Sequence, residues 1–383
     1  MVRYSIPIPK TKKRRCFKQM DFGNVFKFKK KDTTYELKNL TIKRKQVEDS
    51  INRTFHGVEA VVREDLVRIE EYLPSLQNLI DNLNKPCNRE INSRFIKALK
   101  IRWSSALNLH CKPSSGLSLT SILKSPIFFQ VCSIMFELHM VLFIYALKLR
   151  EKAIALVSTD MVESAKAYRE AAGVFDHLSK LGHPDYSTWV PIEKFPELTS
   201  SVCSSLGLLC LAEGQAVTAN KAKEKGKSAN LLAKLHYGVS QFVAEANASL
   251  LSKTNIQAKE LSSRFLDYVS TLGALHELKS EKHLAESLES EGQVGEAIGV
   301  LRRALARAKK TTQSRDETWK CMFNNERGQV TEVMNRYERL NKSMMLQRIP
   351  LEAELPNPQG DKIVTLIPYL LIKKGKELNF ELS

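Results

Sequence analysis

Cysteine is sparse and unpaired in this chain of 383 residues: the seven (16, 87, 111, 132, 203, 210 and 321) are an odd number, scattered, with no C-x-x-C pair. That excludes a disulfide scaffold or a zinc-ribbon framework and fits a reducing cytoplasm. Glycine (16) and proline (13) are also scarce, which argues against a fold of many strands and turns. The most apolar stretch, Ile127 to Leu149, is broken by Gln130, Glu137, His139 and Lys148. A bilayer needs roughly 20 apolar residues, so this reads as a buried helix. The opening Met1-Val2-Arg3-Tyr4 has no apolar signal core, and Val2 stands where myristoylation needs glycine. The end, Glu381-Leu382-Ser383, carries no prenylation box.

Catalytic signatures are missing as well. His276-Glu277-Leu278-Lys279-Ser280 starts like a zincin helix but has Ser280 where the second metal-binding His is required. His276 and His283 share a helical face without a carboxylate ligand and read as structural. Cys203 and Cys210, two turns apart, read as core. There is no G-x-S-x-G and no glycine-rich phosphate loop. A non-enzyme is expected, with no cofactor, no metal and no small-molecule substrate.

What the chain does have is positive charge, and most of it at one end. The formal net charge is +17, and residues 1–45 hold 15 Lys plus Arg against Asp21, Asp32 and Glu36. Lys12, Lys13, Arg14 and Arg15 form one cluster, and Lys29, Lys30 and Lys31 another, interleaved with Phe17, Phe22, Phe26 and Phe28. Such a segment suits an anionic lipid surface, with the aromatics at the interface. A nucleic acid, or a nuclear-import role, is the less favoured partner. A solvated tail without a partner stays open beside both. We divide the chain into this basic segment, 1–45, and a helical domain, 46–383.

From Lys43 on, the apolar pattern is helical. Val47, Ile51, Val58, Val62, Leu66, Ile69 and Leu73 recur at mostly three- and four-residue steps until Pro74 interrupts them. Helix is expected to resume over 91–107, then over 127–156, and after the cap Ser158-Thr-Asp160 to about Leu181. Pro184, Pro191 and Pro196 mark a long connection. Helices are expected over 198–251, 258–289, 294–310 and 319–340, followed by an extended Pro-rich stretch from Pro350 to Pro368. Small residues recur every three to four positions in Glu163–Phe175 and in Gly295–Leu305. That spacing suits the second helix of a tetratricopeptide hairpin, where alanines let neighbours approach; an ordinary Ala-rich bundle is the alternative.

Several of these stretches together resemble one family. They are Ile101-Arg-Trp-Ser-Ser-Ala-Leu107, Ala165-Lys-Ala-Tyr-Arg-Glu-Ala-Ala-Gly-Val-Phe175, Leu211-Ala-Glu-Gly-Gln-Ala-Val217 and Leu231-Leu-Ala-Lys-Leu235. Gly295-Glu-Ala-Ile-Gly-Val-Leu301, Arg348-Ile-Pro350 and Pro368-Tyr369 follow in the same order. This succession resembles the BRO domain of Alix-type endosomal-sorting proteins, over roughly 90–383 and less clearly over 46–90. It looks most similar to short, stand-alone plant members.

The resemblance implies an all-α fold: a banana-shaped, tetratricopeptide-like helical solenoid with a small N-terminal β element and an extended C-terminal segment along the core. It also implies a non-enzymatic adaptor of endosomal sorting, cytoplasmic and peripheral to endosomes. In the family, an apolar groove takes the C-terminal amphipathic helix of an ESCRT-III subunit. An ungapped alignment puts two aliphatic groove positions on Leu231 and Leu235, four apart on one helical face. A third position, typically large and apolar, falls on Thr218, and a basic one falls on Val162; both depart from the family's pattern. Core packing of Leu231 and Leu235 stays open. A helical scaffold that uses another surface is the rival reading.

Overall fold

The computed structural model describes residues 6–11, 22, 28, 30–52, 59–98, 101–107, 127–181, 195–251, 261–311, 314–370, 378 and 380. Among them are ten α-helices and one two-stranded sheet. The helices are α1 (Lys31–Asn52), α2 (Glu59–Leu83), α3 (Arg89–Ala98), α4 (Ile134–Leu156) and α5 (Met161–Lys180). They continue with α6 (Ser200–Glu224), α7 (Ala229–Leu251), α8 (Ser263–Ser290), α9 (Val294–Lys310) and α10 (Glu317–Leu340). From α4 to α9 each helix packs on the next, α10 packs on α8 and α9, and α1 reaches the stack through α2. The stack is the helical solenoid that the residue pattern implies.

Helix starts follow side-chain capping. Ser133, Asp160, Thr199 and Asp316 each accept hydrogen bonds from backbone N–H groups in the first turn they precede. The hairpin turns after α6 and α8 use Gly226 and Gly292 at φ of 64° and 79°, where a side chain would be strained. Among the described helices α6 alone is long and apolar enough to cross a bilayer. Most of it lies inside the protein, between α5 and α7. It is a core helix.

Three sequence readings need correction. Pro74 does not end a helix but sits inside α2. Tyr72, Leu73, Leu76, Leu79, Ile80 and Leu83 are all buried around it, and each such side chain contributes about 1.5–3 kcal/mol. That outweighs the ~3 kcal/mol a helical proline costs. Residues 101–103 are strand, not helix: β1 (Ile101–Trp103) pairs antiparallel with β2 (Phe129–Val131), so α4 starts at Ile134 and not at 127. Ile101 and Trp103 point into the core with Arg102 between them, the period of two that a strand requires. The stretch 198–251 is two helices separated by the turn at Gly226. Separately, α1 runs through residue 45.

The sheet ties the N-terminus to the body. Thr11 bridges Trp103, and Thr11 Oγ1 accepts a hydrogen bond from the buried Arg44 at 3.0 Å. Arg44 also donates to Glu137 (3.0 Å) and Glu48 (2.8 Å), while Trp103 Nε1 donates to Glu137 at 2.7 Å. So Glu137, one of the polar residues that break the Ile127–Leu149 run, is paired inside the core. Lys148, likewise buried, lies 3.1 Å from Asp65 and 2.8 Å from Glu151.

The C-terminal segment is extended, as expected, and crosses the helices. Arg348 lies over Gly295 of α9, Asp361 over Gly238 of α7, and Ile367 over Gly173 of α5. The small residues read as helix–helix contacts therefore have two uses. Ala167, Ala171 and Ala172 are fully buried in the helical core, whereas Gly173 and Gly295 admit the extended chain.

Candidate partner-helix groove

The four aligned groove positions fall on three consecutive helices, α5 to α7. Val162 stands in the first turn of α5 and is exposed. Thr218 of α6 is half-buried, and its Oγ1 donates back to the Gly214 carbonyl at 2.9 Å, so its methyl is left as the free surface. Leu231 opens α7 and is half-buried; its N–H donates to Ser228 Oγ. Leu235 is different. It is 2% exposed, and its carbonyl accepts from Gln215 Nε2 at 2.9 Å. The same Gln215 amide binds the Asp361 carbonyl of the extended segment, and the Asp361 N–H donates to Lys234. Leu231 is thus a surface side chain and Leu235 a packed one.

Charge is arranged around these residues. Asp160 caps α5 by accepting from Glu163 and Val162 N–H, and those bonds hold its carboxyl below the usual range. Lys221 lies near enough to add to that effect. Glu163 is also lowered, first by its bond from Lys152 at 3.0 Å. Through the last turn of α6 and beyond it the chain reads Lys221-Ala-Lys-Glu-Lys-Gly-Lys227, with Lys225 and Lys227 exposed. The turn leading into Leu231 is therefore basic. Our sequence reading missed it, although four lysines in seven residues are visible there.

Of the lipid candidates, Lys12, Lys13, Arg14, Arg15 and Lys29 lie outside the described residues; Lys30 and Lys31 are exposed at the start of α1. His276 and His283 are buried and packed with His236. The Nδ1 atoms of His236 and His276 are 3.1 Å apart. Cys203 and Cys210 are buried, which pushes both thiols up.

Residues 43–381 match the BRO1-like domain family. The chain belongs to the BRO1-like domain family. Within it, the human BRO1 domain-containing protein BROX is 25% identical over 297 residues, 74% of this chain and 68% of that protein. The Pongo abelii BROX matches to the same extent. The fold is similar to that of ALIX BRO1 solved in complex with CHMP4C, with a TM-score of 0.70 at 16% identity over 96% of this chain and 95% of that one. A longer ALIX chain, in complex with a viral late-domain peptide, gives 0.75 at 16% identity; 97% of this chain covers 50% of it. A Bro1 domain described as a basis for endosomal targeting gives 0.69 at 15% identity, over 95% and 92% of the two chains.

Proposed function

We propose that this BRO1-like chain is a non-enzymatic adaptor of the endosomal sorting machinery, cytoplasmic and peripheral to endosomes. It takes the C-terminal amphipathic helix of an ESCRT-III subunit across α5–α7. The observation that carries this reading is Leu231. It is a half-buried leucine on the rim of a helical face, at the aligned groove position, beside a basic turn. An amphipathic helix seats its apolar side on such residues, and the lysines of 221–227 suit acidic residues on its other side. The ALIX BRO1 complex with CHMP4C and the endosomal-targeting Bro1 domain support the choice of partner and compartment. Lys12, Lys13, Arg14, Arg15, Lys29, Lys30 and Lys31 supply attraction to the anionic membrane on which the partner assembles.

The burial of Leu235, with the departures at Thr218 and Val162, favours a second reading. There the chain is a helical scaffold that binds through another face. A labelled peptide of the CHMP4C C-terminal helix, titrated with the purified protein, separates the two. Saturable binding that Leu231→Asp abolishes supports the adaptor; no binding supports the scaffold.

A further inference from the structure

The first helix divides its charged residues between two tasks. On its inner side Leu37, Leu40, Val47 and Ile51 are buried. Arg44 is buried with them and paired with Glu48 and Glu137. Lys43 turns to α2, donating to the Glu71 carbonyl at 3.1 Å and to Ser75 Oγ at 2.9 Å. These two cations are structural.

The outer side carries Lys31, Tyr35, Lys38, Ile42 and Lys45, all exposed. Steps of four, three, four and three residues keep them on one line, because seven residues are close to two turns. The line is about 20 Å long at 1.5 Å per residue. Tyr35 is 69% and Ile42 58% exposed, and none of the three lysines has an ion-pair partner among the described residues. Asp49 closes the line one turn beyond Lys45. On α2, the nearest neighbour, Glu59 and Glu64 are taken by Arg63 and Arg68. Single exposed apolar residues are ordinary on a protein surface. Two of them, framed at regular spacing by three lysines that make no ion pair among the described residues, although Asp32, Glu36 and Asp49 lie on the same helix, form the pattern of a helix that lies on an anionic bilayer.

We propose that this outer face of α1 is a docking face for an anionic membrane, with Tyr35 and Ile42 entering the interface and Lys31, Lys38 and Lys45 against the headgroups. It deepens the membrane part of the proposed function and is independent of the groove on α5–α7. Lys31 to Ile42 lie ahead of residue 43, where the family match begins, so the face rests on this chain's own residues. It also sets the body's orientation, which a basic tail alone does not. The lysines are then needed for attraction and the apolar pair for retention.

The test is co-sedimentation of the full chain with phosphatidylcholine vesicles, with and without phosphatidylserine. The wild type is expected to sediment with the anionic vesicles, and less so as salt rises. Lys38→Glu with Lys45→Glu should lower that binding at least tenfold, since each cation near such a surface is worth roughly fivefold; separately, Tyr35→Ser with Ile42→Ser should lower it at least tenfold, since each large apolar side chain removed from water is worth about tenfold or more. Both variants should melt like the wild type and still bind the CHMP4C helix peptide, while Leu231→Asp should lose the peptide and keep the vesicles. Tyr35→Trp should show a blue-shifted emission on anionic vesicles. No vesicle binding by the wild type, or α1 variants that sediment as the wild type does, would overturn the proposal. So would loss of binding confined to a Lys12, Lys13, Arg14 and Arg15→Gln variant, which would assign the contact to the tail. Retention of a labelled RNA by the wild type that the α1 variants lose, while their vesicle binding stays intact, would overturn it in favour of a nucleic acid.

Discussion

The carbonyl of Ile367 rests on Gly173 so closely that a Cβ there would lie 1.8 Å from the carbonyl oxygen. The Ile367 N–H donates to Arg169 at 3.0 Å one turn earlier, and Arg169 Nε donates to the Thr365 carbonyl at 2.6 Å. The extended segment is therefore held in register on α5 by backbone contacts, and neither side can yield alone. Gly173→Ala should detach or shift the segment and cost about 1–3 kcal/mol. Gly328 of α10 has nothing within 4 Å of its would-be Cβ, so Gly328→Ala should instead gain about 0.5–1 kcal/mol from helix propensity. Thermal melts of the two variants should move in opposite directions.

The buried histidines make stability depend on pH. One proton shared between His236 Nδ1 and His276 Nδ1 at 3.1 Å needs at least one of the two rings neutral, since two protonated Nδ1 atoms facing each other would repel. Burial comes first, and nearby cations such as Lys279 second, in holding His276 well below the ordinary value of 6.5. His236 is lowered in the same way, by burial and then by His276, with Lys279, His283 and Lys282 also facing it. Above about 6.5 both folded and unfolded chains are neutral here and the fold keeps its full stability. Below it the unfolded chain takes up protons that the folded chain refuses, so stability falls as pH falls, by at most about 1.4 kcal/mol per pH unit for each ring. Urea unfolding between about pH 7.5 and about pH 5.5 should show this slope. A His236→Gln, His276→Gln double variant should lose most of it, and an unchanged slope would place its origin elsewhere.

Glu137 is the acceptor that keeps Arg44 and Trp103 satisfied inside the core. Glu137→Ala leaves a buried guanidinium with one remaining carboxylate, Glu48, and should cost about 3–5 kcal/mol. Glu137→Gln keeps an acceptor and should cost less. Chemical denaturation of the two variants checks the order.

Thr218→Phe tests the departure in the groove. It restores the family's large side chain beside Leu231, and the half-buried site leaves room at the surface. The CHMP4C helix peptide should bind more tightly, read as a lower Kd in a titration.

Most helices were legible because their apolar periods are long and their caps are polar residues in the right place, Asp160 before α5 being one. What escaped depends on contacts distant in sequence. A glycine among alanines looks the same whether a helix or an extended chain lies on it, and only the approach of Ile367 distinguishes Gly173 from Ala171. Ile101–Trp103 is too short for a period of two to stand out, and its partner strand begins at Phe129. Leu231 and Leu235 share a helical face in the sequence. They differ in burial, and the backbone at Leu235 is joined through Gln215 to Asp361, a contact between residues 146 apart. Local pattern gives a face; distant chain decides what covers it.

That difference sharpens the decisive comparison. Leu235→Asp places a carboxylate in a packed site and should lower the melting temperature sharply whether or not a partner is present. Leu231→Asp should leave the free protein folded, because that side chain is only partly buried and already meets water.

The central claim is tested most directly by fluorescence anisotropy of a labelled CHMP4C C-terminal helix, titrated with the wild type and with Leu231→Asp at matched melting temperatures. We predict saturable binding by the wild type and, because an unpaired carboxylate against an apolar face costs about 1–3 kcal/mol or more, a loss of at least about fivefold in the variant. A folded Leu231→Asp protein that binds the helix as the wild type does would contradict the account.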